Sequence, residues 1–257
     1  MIGQQHVLAQ GKPLWRALQN GRLYSMILWG PPGVGKTTIG RLLAEASGRE
    51  FCALSAVLDG LTQFRTKLLH IEQRRQPTVL FIDEIHRLDK TRQKAVLSGI
   101  DNGFLTLIGA TTENPSFQLD RALLGKVSVH VLYSLSQPEL NHVLERAQAN
   151  QQTLLPLDDS AKRRLFVYAD GDARRLLNLI EQLQHSHVSF STPRIDAQHI
   201  DELAGWSPPA STTAMNTCMT WFLHFTNLYG DRVQALRCTG CVVCCKAAYS
   251  AAICVAV

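Results

Sequence analysis

Three things are scarce in this sequence. No run of about 18 consecutive apolar residues occurs, so no membrane-spanning helix is expected. The first residues, Met1-Ile2-Gly3-Gln4-Gln5-His6, lack the basic-then-apolar pattern of a secretory leader, so a cytosolic chain is the expected reading. Cysteine is scarce through the first 217 residues, where Cys52 stands alone. His185 and His187 have no acidic or cysteine neighbours and read as surface residues, not metal ligands. The net charge of +5 (26 basic against 21 acidic residues) is small. It tolerates a nucleic-acid partner without demanding one. At 257 residues, one large domain or two modest ones can bury a core.

What is present centres on residues 25–38. An apolar run, Met26 to Trp29, breaks into Gly30-Pro31-Pro32-Gly33-Val34-Gly35-Lys36-Thr37-Thr38, and apolar residues then recur at helical spacing to Ala46. Strand, glycine-rich turn and helix form the context of a phosphate-binding loop. The glycines let several N–H groups face one anion, and the helix aims its positive end at the same point. Lys36 can reach the β- and γ-phosphates of ATP, and the Thr37 hydroxyl can ligate Mg²⁺. A Gly-Pro turn before an ordinary helix is the alternative. The pattern arises by chance in roughly one chain in a hundred of this length.

A second apolar run, Thr78 to Ile82, has the form of a parallel strand covered on both faces, and it ends in Asp83-Glu84. Such acids beside a phosphate loop can hold Mg²⁺ (Asp83) and polarise the attacking water (Glu84). Another strand, Phe104 to Gly109, leads into Ala110-Thr111-Thr112-Glu113-Asn114-Pro115. A polar side chain at its tip can lie between the γ-phosphate and water; Thr112 is the candidate, with Thr111 and Asn114 close behind. Strands at 50–55 and 127–132, and helices at 14–20, 61–75 and 118–124, complete an α/β domain with a five-stranded parallel sheet. Leu61, Phe64, Leu68, Leu69 and Ile71 are expected on the core face of the second helix. Arg65, Lys67, Arg74 and Arg75 of that helix can touch DNA, though a solvated face is the plainer reading.

From Ser136 the pattern is helical only. Ser136-Gln137-Pro138-Glu139 has the form of a capping box. Helices follow at about 158–169, 173–186 and 196–203, with Asp172 expected to cap the one at 173–186. Arg174 and Arg175 in its first turn oppose the helix dipole and so invite an anionic partner.

With these residues assembled, the chain resembles the AAA+ ATPases of the clamp-loader-like branch, and within it the replication-associated recombination ATPases. The likeness runs from Ile2 to about Ala204. It rests on IGQQHVL (2–8), GKPL (11–14), SMILWGPPGVGKTT (25–38), LFIDEIHR (80–87), LIGATTENPSF (107–117) and GDARRLLN (171–178). The resemblance implies an AAA+ domain over residues 1–134 and an all-helical lid over 135–205. It implies ATP and Mg²⁺ as cofactors, Lys36 and Thr37 as Walker A, Asp83 and Glu84 as Walker B, Thr112 as sensor 1 and Arg174 as sensor 2. It further implies a homo-oligomeric ring acting on DNA at forks, gaps or single-stranded ends, with single-strand-binding protein among its partners. A clamp-loader or branch-migration motor subunit is another reading, against which GATTENP argues.

Two departures stand out. Family members carry Ser-Arg after Ala-Leu-Leu, and that arginine enters the neighbour's ATP site. Here the segment is Ala122-Leu123-Leu124-Gly125-Lys126. Lysine keeps the charge without the planar fork, so ATP binding with slow turnover is expected; Arg121 is the other basic residue at hand. An ATP-binding interaction protein is therefore the rival function. The second departure is the tail, 206–257, which holds six of the seven cysteines. Cys238-x-x-Cys241-x-x-Cys244 has ligand-like spacing for a metal. The preferred reading is a frameshift near 205–215, because Trp221 to Phe225 and Cys238-Thr239-Gly240 match family phrases read one base out of frame. A tail of that origin is expected to be disordered or aggregation-prone.

Overall fold

The computed structural model describes residues 1–74, 76–151, 155–187 and 194–204. Arg75 and everything expected of the tail, metal site and frameshift included, lie outside the described residues.

The chain opens with two short helices, α1 (Gln5–Leu8) and α2 (Pro13–Gln19), followed by β1 (Met26–Trp29) and α3 (Lys36–Ala46). Next come β2 (Glu50–Ser55), α4 (Leu61–Arg74), β3 (Thr78–Asp83), a 3₁₀ turn (Ile85–Arg87) and α5 (Lys90–Asp101). Then β4 (Leu105–Thr111), α6 (Pro115–Gln118), α7 (Arg121–Leu124) and β5 (Ser128–Val131) complete the α/β part. Four helices follow: α8 (Gln137–Gln151), α9 (Asp159–Ala169), α10 (Ala173–His187) and α11 (Ala197–Ala204).

All five strands are parallel, in the order β2-β3-β4-β1-β5. Side-chain alternation feeds two cores. Met26, Leu28, Val79, Phe81, Ile108 and Ala110 face α3 with Ile39 and Leu43. Ile27, Leu80, Ile82 and Leu107 face the other way, onto Phe64, Ile71, Val96 and Leu123 of α4, α5 and α7. Burial on both faces explains why β1 and β3 read as apolar runs. The four later helices have their own core, including Leu140, Leu144, Leu165, Leu176, Ile180 and Ile200. Each such side chain stabilises its layer by about 1.5–3 kcal/mol.

Local signals account for most boundaries. The Glu139 carboxylate accepts from the Ser136 N–H at 2.7 Å, closing the capping box of α8. Asp172 accepts from the N–H groups of Arg174 (2.8 Å) and Arg175 (3.1 Å), capping α10 as expected.

Three expectations need correction. The helix expected over 118–124 is two helices, split at Leu119 and Asp120. The Asp120 carboxylate caps α7 from Ala122 N–H, while its own N–H is held by the buried side chain of Gln93 at 2.8 Å. On α4, Leu61 and Leu69 are exposed, and only Phe64 and Ile71 are buried. Finally, α5 was not read from the sequence; Asp89 starts it by accepting the Arg92 N–H at 2.8 Å.

Candidate nucleotide site

The strand order creates the site. From β1 the chain passes out to β2 and returns through β3 and β4 to β1, so the carboxyl ends of β1, β3 and β4 lie side by side. Ligands bind to open α/β sheets at such a crevice. The ends are level: Trp29 pairs with Thr111, Ile82 with Gly109, and the Gly30 N–H donates to the Thr111 carbonyl at 3.1 Å.

The glycine-rich loop leaves β1 at Gly30 and enters α3 at Lys36. Gly33 (φ +67°) and Gly35 (φ +92°) are both left-handed, which curls the loop ahead of the helix. The first N–H groups of α3 have no acceptor inside their own helix, as at every helix start, and they open onto the loop. The ammonium of Lys36 is buried and donates to the carbonyls of Gly30 and Pro31, both at 2.8 Å. Burial lowers its pKa to about 8, against the opposing pull of the Asp83 and Glu84 carboxylates. The Arg174 guanidinium lowers it further and Asp172 raises it, so all four charged groups are close enough to act on Lys36. Thr37 and Thr38 are exposed.

At the end of β3, Asp83 is half-buried and accepts the N–H of Glu84 at 3.2 Å. Glu84 has φ +53°, a left-handed conformation that L-residues adopt at a cost of about 1–3 kcal/mol. At the end of β4, the Thr111 side chain is fully buried, and Asn114 caps α6 through the N–H of Ser116. Thr112 is half-buried one residue beyond the strand.

The helical part reaches the loop at one point. The Ala173 N–H donates to the Gly33 carbonyl at 3.2 Å, which puts the start of α10, and Arg174 with it, against the glycine loop. The structure thus brings together Lys36, Asp83, Glu84, Arg174 and the loop from Gly30 to Thr38. Lys126 is not among them. It precedes β5, whose Ser128 pairs with Met26 at the opposite end of β1 from Gly30, and its ammonium pairs with Asp101 at 2.7 Å.

A family model described as "ATPase family associated with various cellular activities (AAA)" matches residues 26–135. The replication-associated recombination protein A of Coxiella burnetii is 46% identical over 186 residues, covering 70% of this chain and 42% of that protein. Its namesake in Escherichia coli K12 is 44% identical over 216 residues, covering 79% of this chain and 48% of that protein. This chain is an AAA+ protein of the replication-associated recombination family. It spans about half the length of these curated relatives. Among solved structures, the Thermotoga maritima RuvB Holliday junction branch migration motor matches with a TM-score of 0.66. That match is at 24% identity and covers 86% of this chain and 78% of RuvB, a likeness of fold.

Two features of this AAA+ site were not read from the sequence. Asp172 lies against Gly33 as well as capping α10. His86, quoted within LFIDEIHR, sits between the acid at the end of β3 and the hydroxyl at the end of β4. A histidine two residues after Glu84 was the available signal. Among the described residues no cluster of three or more metal-ligating side chains occurs. That is compatible with Mg²⁺, which keeps several waters and is held by one or two protein groups plus phosphate.

Proposed function

We propose that this chain binds and hydrolyses ATP as the motor portion of a DNA-linked AAA+ machine in replication-associated recombination and repair. The observation that carries the reading is the convergence of Lys36, Asp83 and Glu84 at the mouth of the left-handed glycine loop. The residues fit the nucleotide. The buried ammonium of Lys36 is satisfied by two backbone carbonyls that phosphate oxygens can replace, and the start of α3 offers N–H groups to an anion.

In this proposal residues 1–134 are the nucleotide-binding domain, 135–205 the lid and 206–257 an atypical tail. The loop Gly30, Pro31, Pro32, Gly33, Val34, Gly35, Lys36, Thr37 and Thr38 cradles the phosphates. Thr37 and Asp83 hold Mg²⁺, which neutralises charge developing on the phosphates. Glu84 polarises the attacking water. Thr112 senses the γ-phosphate, since Thr111 and Asn114 are committed to other hydrogen bonds. Arg174 contributes a positive charge from the lid. Lys126 acts on the ATP of a neighbouring copy, because it stands at the far end of its own sheet. DNA ends, gaps or forks are the proposed partner, and the relatives named for replication-associated recombination support a place in recombination over a branch-migration or clamp-loading role. A homo-oligomer, contact with single-strand-binding protein and a place in the bacterial cytoplasm near the nucleoid belong to the same proposal. No helix among the described residues is long and apolar enough to cross a membrane.

The second reading, an ATP-binding interaction protein that turns over little, is favoured by lysine at position 126, where family members carry the arginine that enters the neighbour's ATP site. Steady-state ATP hydrolysis, with and without DNA carrying single-stranded ends, separates the two. Hydrolysis that DNA stimulates and Glu84→Gln abolishes supports the motor. Tight ATP binding without turnover in either condition supports the rival.

A further inference from the structure

His86 has no part in the ATP chemistry proposed above, yet its side chain is only 5% exposed and lies among groups that do. Its Nε2 is 3.2 Å from a Glu84 carboxylate oxygen and 3.5 Å from one of Glu113. Carboxylates only accept, so the ring nitrogen set between two of them carries a proton. On the other side, Nδ1 lies 2.8 Å from the Thr111 hydroxyl. That hydroxyl bridges the next turn: it accepts the Glu113 N–H and lies against the Glu113 carbonyl, each at 3.0 Å. One imidazole therefore joins the acid after β3, the tip of β4 and the loop leading into α6.

The surroundings hold this ring in place. Ile85, beside it in the chain, packs on β4 so closely that a Cβ at Gly109 would meet the Ile85 Cδ1 at 2.6 Å. The 3₁₀ turn therefore lies directly on the strand, and Glu84 keeps its left-handed backbone between β3 and that turn. Among the described residues, the side chain paired with the Glu84 carboxylate is His86. Partners of this kind, one step behind a reacting group, set its orientation, and their loss typically costs about 10–100-fold in activity.

We propose that His86 is a positioning residue for Glu84. It holds the carboxylate at the carboxyl edge of the sheet and passes to it, through Thr111, any displacement of the segment 111–118. A contact of Thr112 with phosphate, or a partner seated on α6, thereby alters the aim of Glu84. This rests on Glu84 being the group that polarises water, as proposed above.

The test is steady-state ATP hydrolysis with ATP affinity measured in parallel. His86→Ala is expected to lower kcat about 10–100-fold with the affinity for ATP within about threefold of the parent. His86→Gln, whose amide N–H reaches the place of Nε2, is expected to recover part of the loss. His86→Asn, whose shorter amide reaches only the place of Nδ1, is not. Thr111→Val added to His86→Ala should cost little more, because both cut one path. Glu84→Gln serves as the reference. If it leaves hydrolysis intact, the assignment of Glu84 is wrong and this proposal goes with it. If it abolishes hydrolysis while His86→Ala keeps the parental kcat, only the role of His86 is overturned. An equal loss for the Gln and Asn variants marks His86 as structural and also overturns it. Should parental turnover be too slow to divide, ring-nitrogen NMR of His86 decides. Its resonances are expected to shift when ATP and Mg²⁺ are added, and resonances that stay fixed overturn the proposal.

Discussion

Replacing Gly33 by alanine tests whether the glycine loop and the helical part are packed as tightly as the structure has them. The new Cβ would lie 1.5 Å from the Asp172 Oδ1 and 2.2 Å from its Cγ, so the two cannot coexist. Two costs follow. Alanine at φ +67° is left-handed, a strain of about 1–2 kcal/mol. The displaced carboxylate gives up the N–H groups of Arg174 and Arg175, and loss of such a cap costs about 1 kcal/mol. Together these make about 2–3 kcal/mol, or a fall in Tm of about 4–12 °C for a folded unit of this size. Thermal unfolding followed by circular dichroism measures it. The same substitution should weaken ATP binding, because the Gly33 carbonyl that accepts the Ala173 N–H must move with its loop. The contact can be isolated by repeating Gly33→Ala in an Asp172→Gly background. With the clashing side chain gone, only the strain remains, and the two substitutions should fall short of additivity by about 1 kcal/mol. Parental melting of Gly33→Ala, or strict additivity of the pair, would refute the packing.

Burial holds the Lys36 pKa at about 8, below its unfolded value, so the unfolded chain binds more protons between pH 8 and about 10.5. The destabilising effect of Lys36 is therefore complete below pH 8 and fades as pH rises through that window; Lys36→Met should raise Tm at pH 7 and add little at pH 10.5. Phosphate oxygens should restore the charge, so ATP binding near pH 8 should take up about half a proton and none at pH 6. Calorimetry in buffers of different ionisation heat reads this, and equal uptake at both pH values would count against it. Lys126→Arg should leave stability unchanged, since the exposed pair with Asp101 is worth under about 1 kcal/mol. If position 126 reaches a neighbour's ATP, the same change should raise turnover at least about tenfold. No gain in a sample shown to oligomerise would remove that position from the mechanism.

The parts of the fold that were legible are those whose causes are local. β1 and β3 are continuous apolar runs because each is covered on both faces, and Asp83 and Glu84 fall at a strand end because the run stops there. Asp172 and Ser136 act within three residues of themselves, so their caps were readable too. On α4 the helical period showed a stripe but not its centre, and Leu61 and Leu69 sit at its margins, outside the buried band. The split between α6 and α7 depends on Gln93, which arrives from α5 to hold the Asp120 N–H; no pattern around residue 120 reveals that.

The same distinction separates binding from turnover at the site. A glycine loop, a lysine and a helix start lie within nine residues, so affinity for phosphate can be read directly from Gly30 to Thr38. What aims Glu84 is assembled from His86, Thr111 and Glu113, which meet only because β3 and β4 are neighbours in the sheet. What places Arg174 is a hydrogen bond between Gly33 and Ala173, far apart in the chain. A chain can therefore keep every residue of its phosphate loop and still lose hydrolysis through a side chain on another strand. Substitutions at His86 and Thr111, which leave the loop intact, are for that reason more informative about turnover than any change within it.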